Sequence, residues 1–118
     1  GSVSNQKFIK SLDEIGFNIE MHIVYKTIFK NSLNHSTIEL LKKNKINICL
    51  IFSQRNAQQF CNLVMNKNLY NKCKNLFILT LSKNISQVMK KNGYSNVVHA
   101  PYPRQSSLVH KLKKIILL

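Results

Sequence analysis

The chain reads as an α/β domain: a parallel sheet of about four strands flanked by helices. Three observations predict it. Apolar runs of strand length alternate with stretches of helical periodicity. The links between them are short. Two of the runs, INICLIF over 46–52 and LFILTL over 76–81, are apolar almost throughout instead of alternating. A strand apolar on both sides is buried on both faces, which is the environment of a parallel sheet whose crossover helices cover it.

The elements follow in order. Phe8, Ile9, Leu12 and Ile15 recur at helical spacing until Gly16 stops the helix. NIEMHIVY alternates and then turns apolar, which predicts a strand over about 18–27. Ser36-Thr37-Ile38-Glu39 has the form of a capping box and opens a helix toward Lys43. After the strand 46–52, a helix runs from Ser53 with Ala57, Phe60, Cys61 and Val64 on one face. Asn66-Lys67-Asn68 weakens it before a short turn or helix over 69–73. The strand 76–81 leads to Ser82, which caps a helix with Ile85, Val88 and Met89 inward, ended by Asn92-Gly93. A short strand over 96–100 precedes a loop bracketed by Pro101 and Pro103. Ser106 or Ser107 is then expected to cap a last helix. Its Leu108, Val109, Leu112, Ile115 and Ile116 point inward and its lysines outward.

With 118 residues and 44% hydrophobic composition, the chain has one modest core and is not disordered. No run of 18 apolar residues occurs and no signal-peptide pattern opens the chain, so a soluble, cytoplasmic protein with no membrane partner is expected. Gly1-Ser2 reads as a cloning remnant. Cys49, Cys61 and Cys73 lack a CxxC spacing, and the four histidines lack HExxH or HxH spacing. Buried reduced thiols and no metal are expected. The net charge is +14, and it is lopsided: residues 41–118 hold fourteen Lys and Arg and no acid. Such a field favours an anionic partner. An AT-rich coding sequence, suggested by 15 Asn, 13 Ile and 16 Lys, also raises lysine without selection for binding.

Open parallel sheets bind ligands at the carboxyl ends of their strands. Here Phe52-Ser53, Leu81-Ser82 and the loop before Ser106 each deliver a serine to a helix start, with Arg55 and Lys83 near two of them. Helix N-termini attract anions, so that edge suits several carboxylates or phosphates, although serine is also the ordinary N-cap. GxGxxG and GxxxxGK[ST] are absent, as is Gly-x-Ser-x-Gly. The acids Asp13, Glu14, Glu20 and Glu39 all precede residue 40 and none ends a strand, which excludes a phosphorylated receiver and paired-carboxylate catalysis. What remains is hydroxyls, backbone amides, a tyrosine and basic groups, suited to positioning an anionic, intrinsically reactive substrate.

Val24-Tyr25-Lys26-Thr27, then IFSQRNAQQF, then Ser82-Lys83-Asn84-Ile85, Lys91-Asn92-Gly93 and Ala100-Pro101-Tyr102-Pro103 resemble, in order and spacing, segments of the uroporphyrinogen-III synthase family. The resemblance covers about 5–116 and matches the second half of such an enzyme. It implies a cytosolic lyase of tetrapyrrole and haem synthesis, without cofactor. The reaction closes linear hydroxymethylbilane into uroporphyrinogen III with inversion of the last pyrrole ring. Two flavodoxin-like α/β domains, joined by a two-stranded linker, would hold the eight-carboxylate substrate between them. By this match, residues 1–27 end one domain and supply a linker strand, and residues 28–118 form the C-terminal part of the second.

Tyr25 then matches the tyrosine that assists departure of the terminal hydroxyl as water, and Ser53 matches a cleft-facing serine followed by Gln54 and Arg55. Ser82 falls where many members open a GPTT turn. Its threonines are absent here, leaving the amides of Lys83 and Asn84 to serve. An incomplete sheet exposes strand edges, so a truncated chain or a dimer formed by strand or helix exchange is expected, catalytically inert as it stands. Two rival readings are a small basic nucleic-acid-binding module and a non-catalytic homologue. The aromatics, placed at apolar positions and not among the lysines, argue against nucleic acid.

Overall fold

The structure, a computed structural model, describes residues 35–117. The expected helix over 8–16, the strand over 18–27 and Tyr25 lie outside the described residues, as does the boundary between the two expected domains. Within them the order is α1 (His35–Lys42), β1 (Ile48–Ile51), α2 (Gln54–Asn66), α3 (Tyr70–Cys73), β2 (Phe77–Thr80), α4 (Lys83–Lys91), β3 (Val97–His99) and α5 (Gln105–Leu117). The three strands form a parallel sheet in the order β1-β2-β3, with Ile51 opposite Thr80 and Thr80 opposite His99. The parallel α/β architecture read from the apolar runs is the one observed, with three of its strands among the described residues.

Stepping one strand at a time in one direction through right-handed crossovers puts both crossover helices on the same face. The packing agrees. Ile51, Ile78 and Val97 meet Ala57, Phe60, Cys61 and Val64 of α2 and Ile85 and Met89 of α4 in one core cluster. The alternate residues Leu50, Leu79 and Val98 turn to the other face, where Leu108 and Leu112 of α5 cover them. This two-sided burial is why the strands carry so few polar residues. Each fully buried Ile78, Leu79, Met89 or Leu108 stabilises the fold by about 1.5–3 kcal/mol.

Three helices end by one device. Asn44, Asn68 and Gly93 take positive φ just past α1, α2 and α4. Their N–H groups donate to Leu41, Met65 and Lys90 carbonyls, and the following residues donate to Leu40, Val64 and Met89. This is the Schellman pattern, which asparagine and glycine accept because the left-handed region costs them least. Leu69 and Tyr94, the residues just after two of these turns, are buried. Gly93 also admits the Tyr70 hydroxyl, which donates to its carbonyl at 2.8 Å and would collide with any Cβ there.

Candidate functional site

The chain leaves all three strands at one level. Leu81 N–H donates to the Ile51 carbonyl at 3.1 Å and Ala100 N–H to the Thr80 carbonyl at 2.9 Å, extending the ladder one step past the strands. Phe52-Ser53, Leu81-Ser82 and Ala100-Pro101 therefore emerge side by side on the carboxyl edge. The outer two exits lie two strand spacings apart, about 10 Å.

Ser53 and Ser82 do there what their sequence context predicts. Both have extended backbones, and their hydroxyls accept from the N–H three residues on: Asn56 at 3.1 Å and Ile85 at 3.4 Å. Each serine is half-buried, while Gln54, Arg55, Lys83 and Asn84 occupy the exposed first turns. Capping by Ser82 leaves the Lys83 and Asn84 amides as the first two of α4, with no acceptor within the helix.

The third helix start differs from expectation. Helix α5 begins at Gln105, and the Leu108 N–H donates to the Arg104 carbonyl at 3.2 Å, so Arg104 holds the capping position. Neither Ser106 nor Ser107 is the cap. The Ser107 hydroxyl instead accepts from Tyr102 N–H at 3.0 Å, drawn back into the preceding loop. Likewise Ser36 already lies within α1, which includes His35, so it is not the cap the sequence suggested.

Electrostatics set this edge apart. The first turns of α2, α4 and α5 contain no acidic residue, yet each start carries a cation: Arg55, Lys83 or Arg104. A cation at the positive end of a helix dipole is disfavoured by roughly 0.3–1 kcal/mol. Three such placements on one edge suit an anion that both dipole and side chain would hold. Glu39 is the only acid among the described residues, and it pairs with Lys42 at 4.0 Å on α1.

Beneath the edge, Thr80 is fully buried at the end of β2. Its hydroxyl donates to the Ser82 carbonyl at 2.8 Å and also meets the Ser86 hydroxyl at 2.7 Å. One hydroxyl has one proton, so Ser86 must be the donor of the second bond. This network ties the turn before α4 to the sheet and fixes where Ser82 presents its helix start. At the end of β3, His99 Nδ1 lies 2.8 Å from the Ala100 carbonyl, a contact that requires a proton on Nδ1.

The cysteines are reduced and packed at the core. Burial pushes the thiols of Cys61 and Cys73 up to about 11 and that of Cys49 up to about 12, so none is a thiolate at neutral pH. No group of three metal-binding side chains occurs among the described residues, and no helix there is long and apolar enough to cross a membrane.

A family model described as uroporphyrinogen-III synthase HemD matches residues 1–110. The chain belongs to this family. No curated protein and no solved structure matches it. The sequence placed all three helix starts on the carboxyl edge but put the third cap on Ser106 or Ser107, where the structure has Arg104.

Proposed function

We propose that this chain binds hydroxymethylbilane at the carboxyl edge of its sheet and serves its closure to uroporphyrinogen III with inversion of the last ring, as a cytoplasmic lyase of porphyrin and haem synthesis. The observation that carries this reading is the set of three neighbouring helix starts, each with a cation and none with an acid. A linear tetrapyrrole with eight carboxylates asks for such an edge: several anion sites on one side of the sheet and no acid after Glu39 to compete with them.

In this reading Ser53 and Ser82 orient the two helix starts. Gln54 and Arg55, and the amides of Lys83 and Asn84, hold acetate or propionate groups. Tyr25 acts as the general acid whose phenol protonates the departing hydroxyl. The chain's own contribution is positioning, because the substrate brings its own reactivity.

Titration with uroporphyrin III, the fluorescent octacarboxylate, at about 0.15 M salt tests the reading. Saturable binding is expected, with an arbitrary DNA duplex bound weakly under the same conditions. Tight duplex binding with no response to the porphyrin would assign the basic surface to nucleic acid instead.

A further inference from the structure

We propose that Tyr102 and Arg104 form a subsite for one pyrrole ring and its carboxylate, in addition to the serine-capped helix starts; the inference rests on the tetrapyrrole reading above. Tyr102 is 61% exposed, one of the most exposed large hydrophobic side chains in the described structure. The Arg104 guanidinium lies over its ring, 5.1 Å from the centroid. Both side chains belong to the loop that leaves β3 on the ligand edge, next to the Ser82 exit of the central strand.

The loop is built to hold them still. Pro101 and Pro103 fix the backbone on either side of Tyr102. Tyr102 N–H donates to Ser107 Oγ, Arg104 N–H donates to the Tyr102 carbonyl at 2.8 Å, and Ser107 N–H donates to the Arg104 carbonyl at 3.1 Å. The backbone is thus tied down while an aromatic face and a cation are left at the surface. An ordered pair loses little conformational freedom on binding. Its chemistry selects a planar, electron-rich ring that carries a carboxylate: the ring stacks on the phenol and the carboxylate meets the guanidinium, which binds such groups in bidentate fashion. A saturated polycarboxylate would use only the second contact.

Binding of two probes to the full chain tests this: uroporphyrin III, and butane-1,2,3,4-tetracarboxylate, which has carboxylates but no ring. The expected result is that Tyr102→Leu weakens uroporphyrin binding about tenfold, the order of an aromatic contact, and leaves the tetracarboxylate within twofold. Arg104→Gln weakens both. Both substitutions fall on exposed side chains and leave the loop's backbone bonds in place. If both variants bind uroporphyrin like the parent while Ser53→Ala and Ser82→Ala weaken it, the subsite is refuted and the tetrapyrrole reading stands. If the parent chain does not bind uroporphyrin, the reading fails and the subsite fails with it.

Discussion

Replacing Thr80 with valine keeps the shape of a fully buried side chain and deletes one hydroxyl. The structure says what is lost. The Ser82 carbonyl loses the Thr80 donor but keeps the Ser86 N–H at 3.1 Å, so it is not stranded. The Ser86 hydroxyl, itself buried, loses the acceptor it had at 2.7 Å. An orphaned buried hydroxyl costs about 1–3 kcal/mol. Ser86 recovers part of this by turning to the carbonyl four residues back, which is Ser82 itself. The net loss is therefore about 1–2 kcal/mol, against a total of roughly 5–15 for a domain. For a chain of this size each kcal/mol lowers Tm by about 3–6 °C, so the variant should lose roughly 3–12 °C. Urea unfolding followed by circular dichroism measures it. The double variant with Ser86→Ala removes the orphaned donor together with its acceptor, so it should lose about 0.5–1 kcal/mol less than the two single variants summed. A Thr80→Val loss below about 0.5 kcal/mol, or strict additivity in the cycle, would refute the network as the tether of the α4 start.

Other expectations follow from the same geometry. Ser53→Ala should destabilise by about 1 kcal/mol in the same unfolding assay, and Ser82→Ala by less, because the Ser82 cap bond is longer, 3.4 against 3.1 Å. Gly93→Ala should lower stability by more than about 1 kcal/mol, since φ is +95° and the new Cβ would displace the Tyr70 hydroxyl; Tyr70→Phe in the same background should recover part of the loss. Stability should be independent of the thiols well below pH 9 and fall between about 9 and 12. There the unfolded chain releases thiol protons that buried Cys49, Cys61 and Cys73 still hold, so the unfolded state is favoured as pH rises. Urea midpoints at pH 8 and 10 check the sign, and an Ala substitution of Cys61 and Cys73 should shrink the slope without removing it, because Cys49 and buried Tyr94 still hold their protons in the folded chain.

Much of the architecture was legible because the physics behind it is local. Continuous apolar runs of strand length, closed by a helix-capping serine, fit strands covered on both sides, and Ile78 and Leu79 prove to face opposite clusters. Asn68 and Gly93 stop helices because they tolerate positive φ, a property of the residue and not of its neighbours. The α5 start was not legible. Ser106 and Ser107 look like caps, but the Ser107 hydroxyl is taken by the Tyr102 amide, and the cap falls on Arg104, a residue with no capping preference. Thr80 was hidden for a similar reason: inside LFILTL it reads as one more strand residue, and its bond to Ser86 needs the folded α4 beside it. For the candidate site, the serines at Ser53 and Ser82 were visible as caps on a ligand edge. The platform at Tyr102 and Arg104 became visible only once the loop's hydrogen bonds showed that both side chains are held at the surface.

The central claim is that the carboxyl edge of the sheet holds the tetrapyrrole, and amide chemical shifts test it most directly. With the labelled chain titrated with uroporphyrin III, the account predicts shifts concentrated at 53–56, 82–85 and 102–105, with the opposite ends of the strands around Asn75 and Asn96 unmoved. Shifts spread along Lys111, Lys113 and Lys114 of α5, or confined to that opposite edge, would contradict it.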